Sequence, residues 1–291
     1  MPRIPLRFGI VILPEDRWAV TRDRWRAAET FGFDHAWTYD HLTWRTFRDE
    51  PWFGAIPTLT AAALATSRIR IGTLVASPNF RHPVPFAKEL MTLDDIAEGR
   101  LTAGIGAGGD GWDATALGQT EWSPHERADR FEEFVSMLDG LLTQPQTNHV
   151  GRFYSADEAR ALPGCIQTPR VPFAIAAGGP RGMQLAAKFA TIWVTLDERG
   201  ASRGQIERLE GICDRVGRST EKLDKLVLTG FSNNPLDSVA EFEDTASRFA
   251  EEGFTDLVVH WPREGEPFPG DHSVLERIAD DVLQPATGEA G

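Results

Sequence analysis

The residues best suited to chemistry lie in the segment Thr38-Tyr39-Asp40-His41-Leu42-Thr43-Trp44, at the end of a predicted strand. His41 can accept or donate a proton near neutral pH, and the adjacent Asp40 can orient a partner or accept a hydrogen bond. Side chains of this kind at a strand end predict a catalytic or binding role. A lone Asp-His pair is also common, so a capped turn at the strand end is the alternative interpretation.

The elements that position this pair are strand-like and helix-like segments that alternate along the chain. The predicted strands are Leu6–Leu13, Phe33–Tyr39, Ile69–Ala76, Leu101–Ala107, Phe173–Ala177, Thr191–Thr195, Leu226–Thr229 and Thr255–His260. A helix is predicted after each strand, which makes eight pairs. This alternation predicts an α/β fold, a closed (β/α)8 TIM barrel whose active site lies in the loops that follow the strands. An open doubly wound sheet is the alternative.

Residues 143–170 interrupt the alternation. The segment Asn148–Tyr154 resembles a short hairpin, and Pro163-Gly164 is typical of a turn. Just before it, Ser123 and Glu126 form a capping box with Pro124 at the first helical position, which predicts the start of a helix. We therefore expect residues 1–291 to form a single barrel domain with an insertion around 143–170 among its loops at the C-terminal face.

Composition limits the classes of partner. The chain has 30 basic and 43 acidic residues, a formal net charge of -13, which disfavours nucleic acid and anionic membranes as main partners and leaves a small-molecule substrate. Cys165 and Cys213 are its two cysteines, too few for a disulfide framework or a cysteine metal site. No predicted helix offers His and Glu at metal-ligand spacing, so no metal is expected. The absence of a signal-like or membrane-length apolar stretch leads us to expect a cytoplasmic location.

A glycine-rich strand end at Gly104–Gly109 satisfies the GxGxxG pattern of dinucleotide-binding folds. Its context disfavours that interpretation, because Asp110-Gly111-Trp112-Asp113 is predicted to continue as a flexible loop where a helix would be needed. The acid about 20 residues further on, Asp129, falls inside a predicted helix and not at a second strand end. We interpret these glycines as positions where backbone approaches a flat ligand.

A second glycine-rich strand end, Ala176–Gly182, runs directly into a predicted helix. Backbone N–H groups of Gly178 and Gly179, the helix N-terminus and the guanidinium of Arg181 together predict a site for a phosphate or another anion. A tight strand-to-helix turn with a solvated arginine is the alternative.

Aromatic side chains are frequent in the predicted loops on the active side. They are Trp44, Trp52, Phe53, Phe80 and Trp112, and they predict an aromatic-lined pocket for an apolar or planar substrate. Alternatively, some of them cover the barrel mouth as core. In the same loops, Asp110 and Asp113 are possible proton donors, although loop caps are the favoured interpretation.

These segments, taken as a set, resemble the luciferase-like monooxygenase family of flavin and deazaflavin oxidoreductases. The matching segments are Tyr39–His41, Thr66–Thr73, Phe80–Pro83, Gly99–Leu101, Gly104–Gly108, Glu126–Glu133 and Gly178–Arg181. The resemblance extends from Phe8-Gly9-Ile10 to Asp256–Val259. It implies a (β/α)8 barrel with a cofactor ring lying across the C-terminal mouth, a cis peptide at Leu74–Val75 that bulges against the ring, and a homodimer.

The resemblance also implies a cofactor. Asp40-His41 is similar to the pair in the branch that uses the deazaflavin coenzyme F-420 (F420), in which the histidine lies near the redox carbon and the aspartate contacts the ring; FMN is the alternative. The implied cofactor-binding residues are Asp40, Thr73, Leu74, Val75, Gly106, Ala107, Gly108, Gly178, Gly179 and Arg181. His41 and Asp40 are the implied catalytic residues, and the substrate pocket is predicted at Trp44, Trp52, Phe80 and Trp112.

The expected function is therefore an oxidoreductase that moves hydride between F420 and an unsaturated or carbonyl-type organic substrate. An FMN-dependent monooxygenase of the same family is one alternative. Another is a non-catalytic flavin- or ligand-binding barrel, because Gly109 stands where the family branch that acts on sugar phosphates places a glutamate. The same departure means that a sugar-phosphate dehydrogenase is not expected.

Overall fold

The computed structural model describes residues 5–109, 111–199 and 201–284. The strands are β1 (Arg7–Val11), β2 (His35–Thr38), β3 (Arg70–Thr73), β4 (Leu101–Gly106), β5 (Thr147–Val150), β6 (Ser155–Ala159), β7 (Phe173–Ala176), β8 (Ile192–Leu196), β9 (Asp224–Leu228) and β10 (Asp256–His260). The α-helices are α1 (Trp18–Thr30), α2 (Ala55–Ala65), α3 (Pro83–Ile96), α4 (Trp112–Thr115), α5 (Pro124–Thr143), α6 (Pro180–Phe189), α7 (Arg203–Arg215), α8 (Val239–Glu252) and α9 (His272–Ile278). Short 3-10 turns span Arg45–Asp49, Asp197–Arg199, Thr220–Lys222 and Pro235–Asp237, and a π-helical turn spans Ala279–Leu283.

Eight parallel strands close into a barrel in the order β1-β10-β9-β8-β7-β4-β3-β2. The closure is made by β1, which pairs with β10 on one side and with β2 on the other; Gly9, for example, is in register with both Val258 and His35. The (β/α)8 barrel predicted from the sequence is confirmed, and the open doubly wound sheet is excluded. Because all strands run in one direction, their C-terminal ends meet at one mouth, where barrel enzymes build their sites.

The helices surround the barrel because each has one apolar face. Helix α5 is an example. Its start is fixed by the predicted capping box of Ser123 and Glu126, and Phe131, Phe134 and Leu138 are buried along one face. Burying a side chain of this size stabilises a fold by about 1.5 to 3 kcal/mol. One apolar cluster thus fills the space between helices and strands, and a second lies inside the barrel.

The barrel interior is packed with large side chains at the N-terminal ends of the strands. His35 and Trp37 point inward from β2, and a Cβ at Gly9 would lie only 2.1 Å from His35 Nδ1. Gly9 therefore leaves the space that His35 fills. Buried side chains therefore fill this end of the barrel.

The insertion predicted around 143–170 contains an antiparallel hairpin of β5 and β6, which pair with each other and form a sheet separate from the barrel. Glu133 on α5 accepts hydrogen bonds from the backbone N–H groups of Arg152, Phe153 and Tyr154, and so anchors the hairpin turn. The predicted hairpin is confirmed. That residues 1–291 form one domain stays a prediction.

Two segments near the mouth differ from the sequence prediction. Strand β3 ends at Thr73, short of the predicted Ala76; the following Leu74–Val75 peptide is cis, as the family resemblance implies, and Ala76 makes a single bridge to Ile105. The predicted flexible loop after Gly109 contains the short helix α4. Asp110 lies outside the described residues. Among the described residues, no helix has the length and apolar character needed to cross a membrane.

Candidate active site

A cavity of about 550 Å³ opens at the C-terminal mouth of the barrel. Ligand sites commonly have volumes of about 300 to 1,000 Å³. Its walls are the segments that follow β2, β3, β4, β7, β8 and β9, together with one face of α5. Lining residues include Tyr39, His41, Trp44, Arg45, Leu74, Val75, Gly106, Ala107, Gly108, Gly109, Phe131, Gly178, Gly179, Arg181 and Phe231.

His41 faces this cavity and is held from behind by Asp113. Its Nδ1 atom makes a short hydrogen bond with the Asp113 carboxylate. The other carboxylate oxygen accepts the backbone N–H groups of Leu42 at 2.6 Å and Thr43 at 3.2 Å. Asp113 thus caps the loop, as predicted, and also orients the imidazole, which the sequence did not indicate. No described residue bonds the second ring nitrogen, Nε2, which is left for a ligand.

Asp40 lies behind the cavity and does not line it. Its buried carboxylate makes a bidentate pair with Arg81, at 2.9 Å to Nε and 2.7 Å to Nη2. Arg81 in turn contacts Glu89 on α3 at 2.7 Å. Such a pair is fixed in geometry, so Asp40 anchors the start of the loop that carries His41. Its direct contact with a cofactor ring stays a prediction.

A second imidazole lies deeper, below Tyr39. His260 Nε2 is 2.7 Å from the Tyr39 hydroxyl, and its ring stacks on Phe268 with centroids 3.4 Å apart. Burial lowers the pKa of His260 to about 3 and raises the pKa of Tyr39 above its ordinary value. This pair is therefore neutral at pH 7. His41 is the imidazole that lines the cavity.

The cavity floor is formed by Leu74, Val75 and the glycines of β4. A Cβ at Gly106 would come within 2.7 Å of Val75 Cγ2, and one at Gly104 within 1.8 Å of the Thr73 carbonyl oxygen. Close packing between β4 and the segment of β3 and Val75 is therefore enough to require glycine at both positions. Thr73 itself is buried, donates to the Gly104 carbonyl at 2.8 Å and does not line the cavity. Its predicted cofactor contact stays a prediction.

The glycine-rich end of β7 leads into α6 at one side of the cavity. Gly179 precedes the helix without a side-chain cap, and in a helix that begins at Pro180 the N–H groups of Arg181 and Gly182 have no intrahelical acceptor. Such donors attract an anion. The Arg181 guanidinium pairs with Glu132 at 2.8 Å and Asp129 at 2.7 Å, and 40% of its side chain remains exposed.

The predicted aromatic pocket is only partly assembled from the predicted residues. Trp44 lines the cavity, whereas Trp52 lies behind it, with ring centroids 5.9 Å apart, and donates to the His41 carbonyl oxygen at 2.9 Å. Phe53, Phe80 and Trp112 are not among the lining residues. Trp52 thus supports the His41 loop, and a substrate contact for Trp52, Phe53, Phe80 and Trp112 stays a prediction.

Other aromatic side chains complete the wall. Phe131 comes from the apolar stripe of α5, and Phe231 follows β9 in the loop after Gly230. Phe231 stood near a predicted strand end, so applying the strand-end rule to every strand would have found it. Phe131 gave no signal beyond that of a core residue. No group of three or more His, Cys, Asp or Glu is placed to hold a metal within the described ranges.

Comparison with known proteins gives consistent matches. A family model described as luciferase-like monooxygenase matches residues 6–258. An F420-dependent glucose-6-phosphate dehydrogenase of Microbacterium testaceum (strain StLB037) is 30% identical over 245 residues, covering 80% of this chain and 70% of the relative.

Two solved structures share the fold. A structure described as an F420-dependent secondary alcohol dehydrogenase in complex with an F420-acetone adduct has a TM-score of 0.79 at 19% identity, covering 95% of this chain and 98% of that one. The monooxygenase RslO1 from Streptomyces bottropensis has a TM-score of 0.73 at 21% identity, covering 96% of this chain and 99% of that one. At these identities, the two structural similarities support only the shared barrel fold.

Proposed function

Because this chain belongs to the luciferase-like monooxygenase family, we propose that it is an oxidoreductase that transfers hydride between the deazaflavin coenzyme F420 and an organic substrate. Support for the cofactor comes from a relative named as F420-dependent and from the Asp40-His41 pair. The observation that carries the proposal is His41, whose Nε2 is open to the cavity while Asp113 holds Nδ1. A carboxylate-oriented imidazole beside a ligand cavity is suited to proton transfer.

The lining residues fit a flat, phosphate-bearing cofactor. Leu74 and Val75 offer an apolar floor, and the absence of side chains at Gly106 and Gly108 keeps the backbone close to a bound ring. Gly179 and the open N–H groups at the start of α6 form the seat for a phosphate. We place the ring over Leu74–Val75 and the phosphate at Gly178-Gly179.

When bound, F420 supplies a carbon that accepts or donates hydride and hardly activates oxygen. The chain supplies the proton transfer. In the oxidative direction, His41 Nε2 takes the hydroxyl proton of an alcohol substrate, and in the reductive direction it returns that proton to the carbonyl oxygen. Asp113 keeps the proton on Nδ1 and stabilises the positive charge that the ring gains. Asp40, through Arg81, holds the loop in place.

The site also bears on the alternatives. Gly109 lacks the carboxylate expected in the sugar-phosphate branch, and a Cβ there would meet nothing within 4 Å. Asp113 brings a carboxylate to His41 from the following turn, which favours a catalytic barrel over a purely ligand-binding one. That the substrate is not a sugar phosphate stays a prediction. We also keep the homodimer and the cytoplasmic location as proposals: the homodimer rests on the family resemblance, and the location on a cysteine content of two, which fits a reducing compartment.

Titration of the purified protein with F420 and with FMN at matched ionic strength tests the cofactor. We expect F420 to bind with a Kd of about 1 μM or lower, which corresponds to about -8 kcal/mol, and more tightly than FMN. Protein isolated with tightly held FMN that consumes oxygen during turnover would instead establish the monooxygenase alternative. F420 binding without turnover of any alcohol or carbonyl compound would favour the non-catalytic barrel.

The phosphate seat is tested in the same titration. We expect Arg181→Ala to weaken F420 binding by about 1 to 3 kcal/mol, the contribution of a charged hydrogen bond. Arg152→Ala is the matched control, because Arg152 also contacts Asp129, at 3.1 Å, but does not line the cavity. Equal F420 affinity for Arg181→Ala and the parent would remove Arg181 from the seat.

A further inference from the structure

One charged side chain at the cavity has no role in the proposed mechanism. Apart from Tyr39, whose hydroxyl is hydrogen-bonded to His260, the charged or titratable lining residues are Arg45, His41, Glu132 and Arg181. Arg181 is paired with Glu132, and His41 with Asp113. Arg45 makes no hydrogen bond or ion pair with any residue in the described part of the chain. At the cavity, Arg45 is thus an exposed cation with no directly bonded carboxylate among the described residues.

Arg45 is nevertheless held in place. Its guanidinium carbon lies over the Trp44 ring at 5.2 Å and over the Phe231 ring at 5.4 Å from the centroids. Ring contacts of this kind fix the guanidinium plane while leaving its N–H donors unused. Arg45 also has a φ of 44°, in the left-handed region that non-glycine residues rarely adopt. Strained residues of this type are concentrated at ligand sites.

The loop that carries Phe231 is also held in place. The Asp197 carboxylate accepts the backbone N–H groups of Gly230 at 3.1 Å and Ser232 at 3.2 Å, on either side of Phe231. These bonds set the position of the loop that presents the ring to Arg45. The guanidinium is therefore preorganised by two aromatic rings, and the backbone on both sides of Phe231 is anchored. Preorganised donors lose little freedom when they bind a ligand.

Arg45 lies across the mouth from the phosphate seat. It follows β2, whereas Gly178 and Gly179 follow β7, and at least two strands separate β2 from β7 in either direction around the barrel. A phosphate seated at α6 is therefore not the natural partner of Arg45. The Arg45 guanidinium lies between rings from the segments after β2 and β9, and His41 belongs to the same segment after β2.

We propose that Arg45 binds an anionic group of the substrate, a carboxylate or a phosphate, so that the substrate class is an acidic alcohol or carbonyl compound. The identity of the reacting end rests on the proposed function; the anion site itself does not. A guanidinium fork matches the paired oxygens of both anions. The second possible source of such oxygens is an acidic group of the cofactor.

The test uses benzoate and benzamide as probes, because they have the same shape and differ in charge. Their affinities are measured by calorimetry with the protein alone and with the protein saturated with F420. We expect benzoate to bind at least tenfold more tightly than benzamide in both states. Arg45→Gln should abolish this preference. Arg48→Gln is the matched control and should retain it, because Arg48 lies in the same 3-10 turn, stacks on Trp112 and does not line the cavity.

Separate outcomes identify the source of the anion. We expect Arg45→Gln to change F420 affinity by less than twofold. A tenfold loss of F420 affinity, with a benzoate preference that disappears once F420 is bound, would assign Arg45 to the cofactor and overturn the substrate proposal. Equal binding of both probes, or no binding of benzoate, would also overturn it. If F420 does not bind at all, the proposed function fails while the probe comparison with the protein alone still decides the anion site.

Discussion

A histidine lies near each end of strand β2, and each histidine pairs with a carboxylate from another part of the chain. The two pairs differ in their burial and in how many of their polar atoms are bonded. His35, at the first position of the strand, contacts Asp256, while His41, just beyond the last position, contacts Asp113. The first pair lies inside the barrel at the N-terminal ends of the strands. The second lies at the C-terminal mouth, against the ligand cavity.

In the pair of His35 and Asp256, called the lower pair below, both ring nitrogens and both carboxylate oxygens are already hydrogen-bonded. His35 Nε2 is 3.0 Å from Asp256, its Nδ1 accepts the Trp37 indole N–H at 2.7 Å, and Arg7 makes a bidentate contact with the same carboxylate. Burial opposes the charge on Asp256, but the bonds from His35 and Arg7 outweigh it and lower the pKa of Asp256 to about 2. Removing one member of such a buried pair is strongly destabilising, because its partner is left without compensation.

In the pair of His41 and Asp113, called the upper pair below, the histidine is bonded through one ring nitrogen, Nδ1. Asp113 is buried, but 27% of the His41 side chain remains exposed, and its Nε2 has no partner among the described residues. The same two residue types are therefore structural where every polar atom is bonded, and suited to chemistry where one nitrogen faces a cavity. Variants of each pair should separate stability from turnover.

The largest expected effect is on stability. Asp256→Ala should lower the free energy of unfolding by about 3 to 5 kcal/mol, because it leaves a buried network without its carboxylate. Urea unfolding measures this loss. Asp224→Ala is the control, since Asp224 also pairs with Arg7, at 2.7 Å, but is a third exposed; we expect about 1 kcal/mol or less. Equal effects would mean that the lower pair is no more structural than a surface ion pair.

The same variant should lose its effect in acid. The folded protein holds the pKa of Asp256 at about 2, below its ordinary value of 3.8, so the carboxylate contributes its stability above pH of about 4. That contribution declines as the pH falls from about 4 through about 2. The difference in unfolding free energy between the parent and Asp256→Ala should therefore shrink over this range.

The next effect is on turnover. His41→Ala should slow hydride transfer by about a hundredfold or more, because a positioned general acid or base contributes that much, while the unfolding midpoint stays near that of the parent. The change in F420 absorbance measures the rate. Asp256→Ala should show the opposite pattern, with lost stability and a normal rate per folded molecule. Unchanged turnover in His41→Ala would remove it from the mechanism.

A smaller effect is expected behind His41. Asp113→Asn keeps the shape of the side chain but removes the charge that orients and stabilises the imidazole, so kcat should fall about tenfold, or about 1.4 kcal/mol. The affinity for F420 should change by less than about twofold, because Asp113 does not line the cavity. A parallel loss of F420 affinity would show that Asp113 shapes the loop and does not tune His41.

The smallest effect is expected at Gly109, and the same substitution at Gly9 sharpens the contrast between the two ends. A Cβ at Gly9 would collide with the His35 ring at 2.1 Å, whereas a Cβ at Gly109 would meet nothing within 4 Å. Gly9→Ala should therefore destabilise the fold by about 1 to 3 kcal/mol, as overpacking does. Gly109→Ala should change it by less than about 0.5 kcal/mol. Thermal unfolding of both variants would test this, and a large loss at Gly109 would mean that the cavity mouth is packed.

The sequence by itself determined the barrel. Alternating apolar strands and amphipathic helices depend on contacts between residues close in the chain, and the capping box at Ser123 and Glu126 was predicted and found. The sequence also predicted that the strand ends at His41, Gly106–Gly108 and Gly178-Gly179 meet in one place, since parallel strands leave their C-terminal ends at one mouth.

Only the tertiary structure decided how the side chains at that mouth pair. Asp113 bonds His41 although the two residues are 72 positions apart, and Arg181 pairs with Asp129 on α5. Asp40 pairs with Arg81, whereas Arg45 contacts two aromatic rings and no carboxylate among the described residues. None of these choices follows from spacing along the chain. They depend on the direction in which each loop leaves its strand and on which charges the neighbouring helices present, and those are properties of the closed barrel.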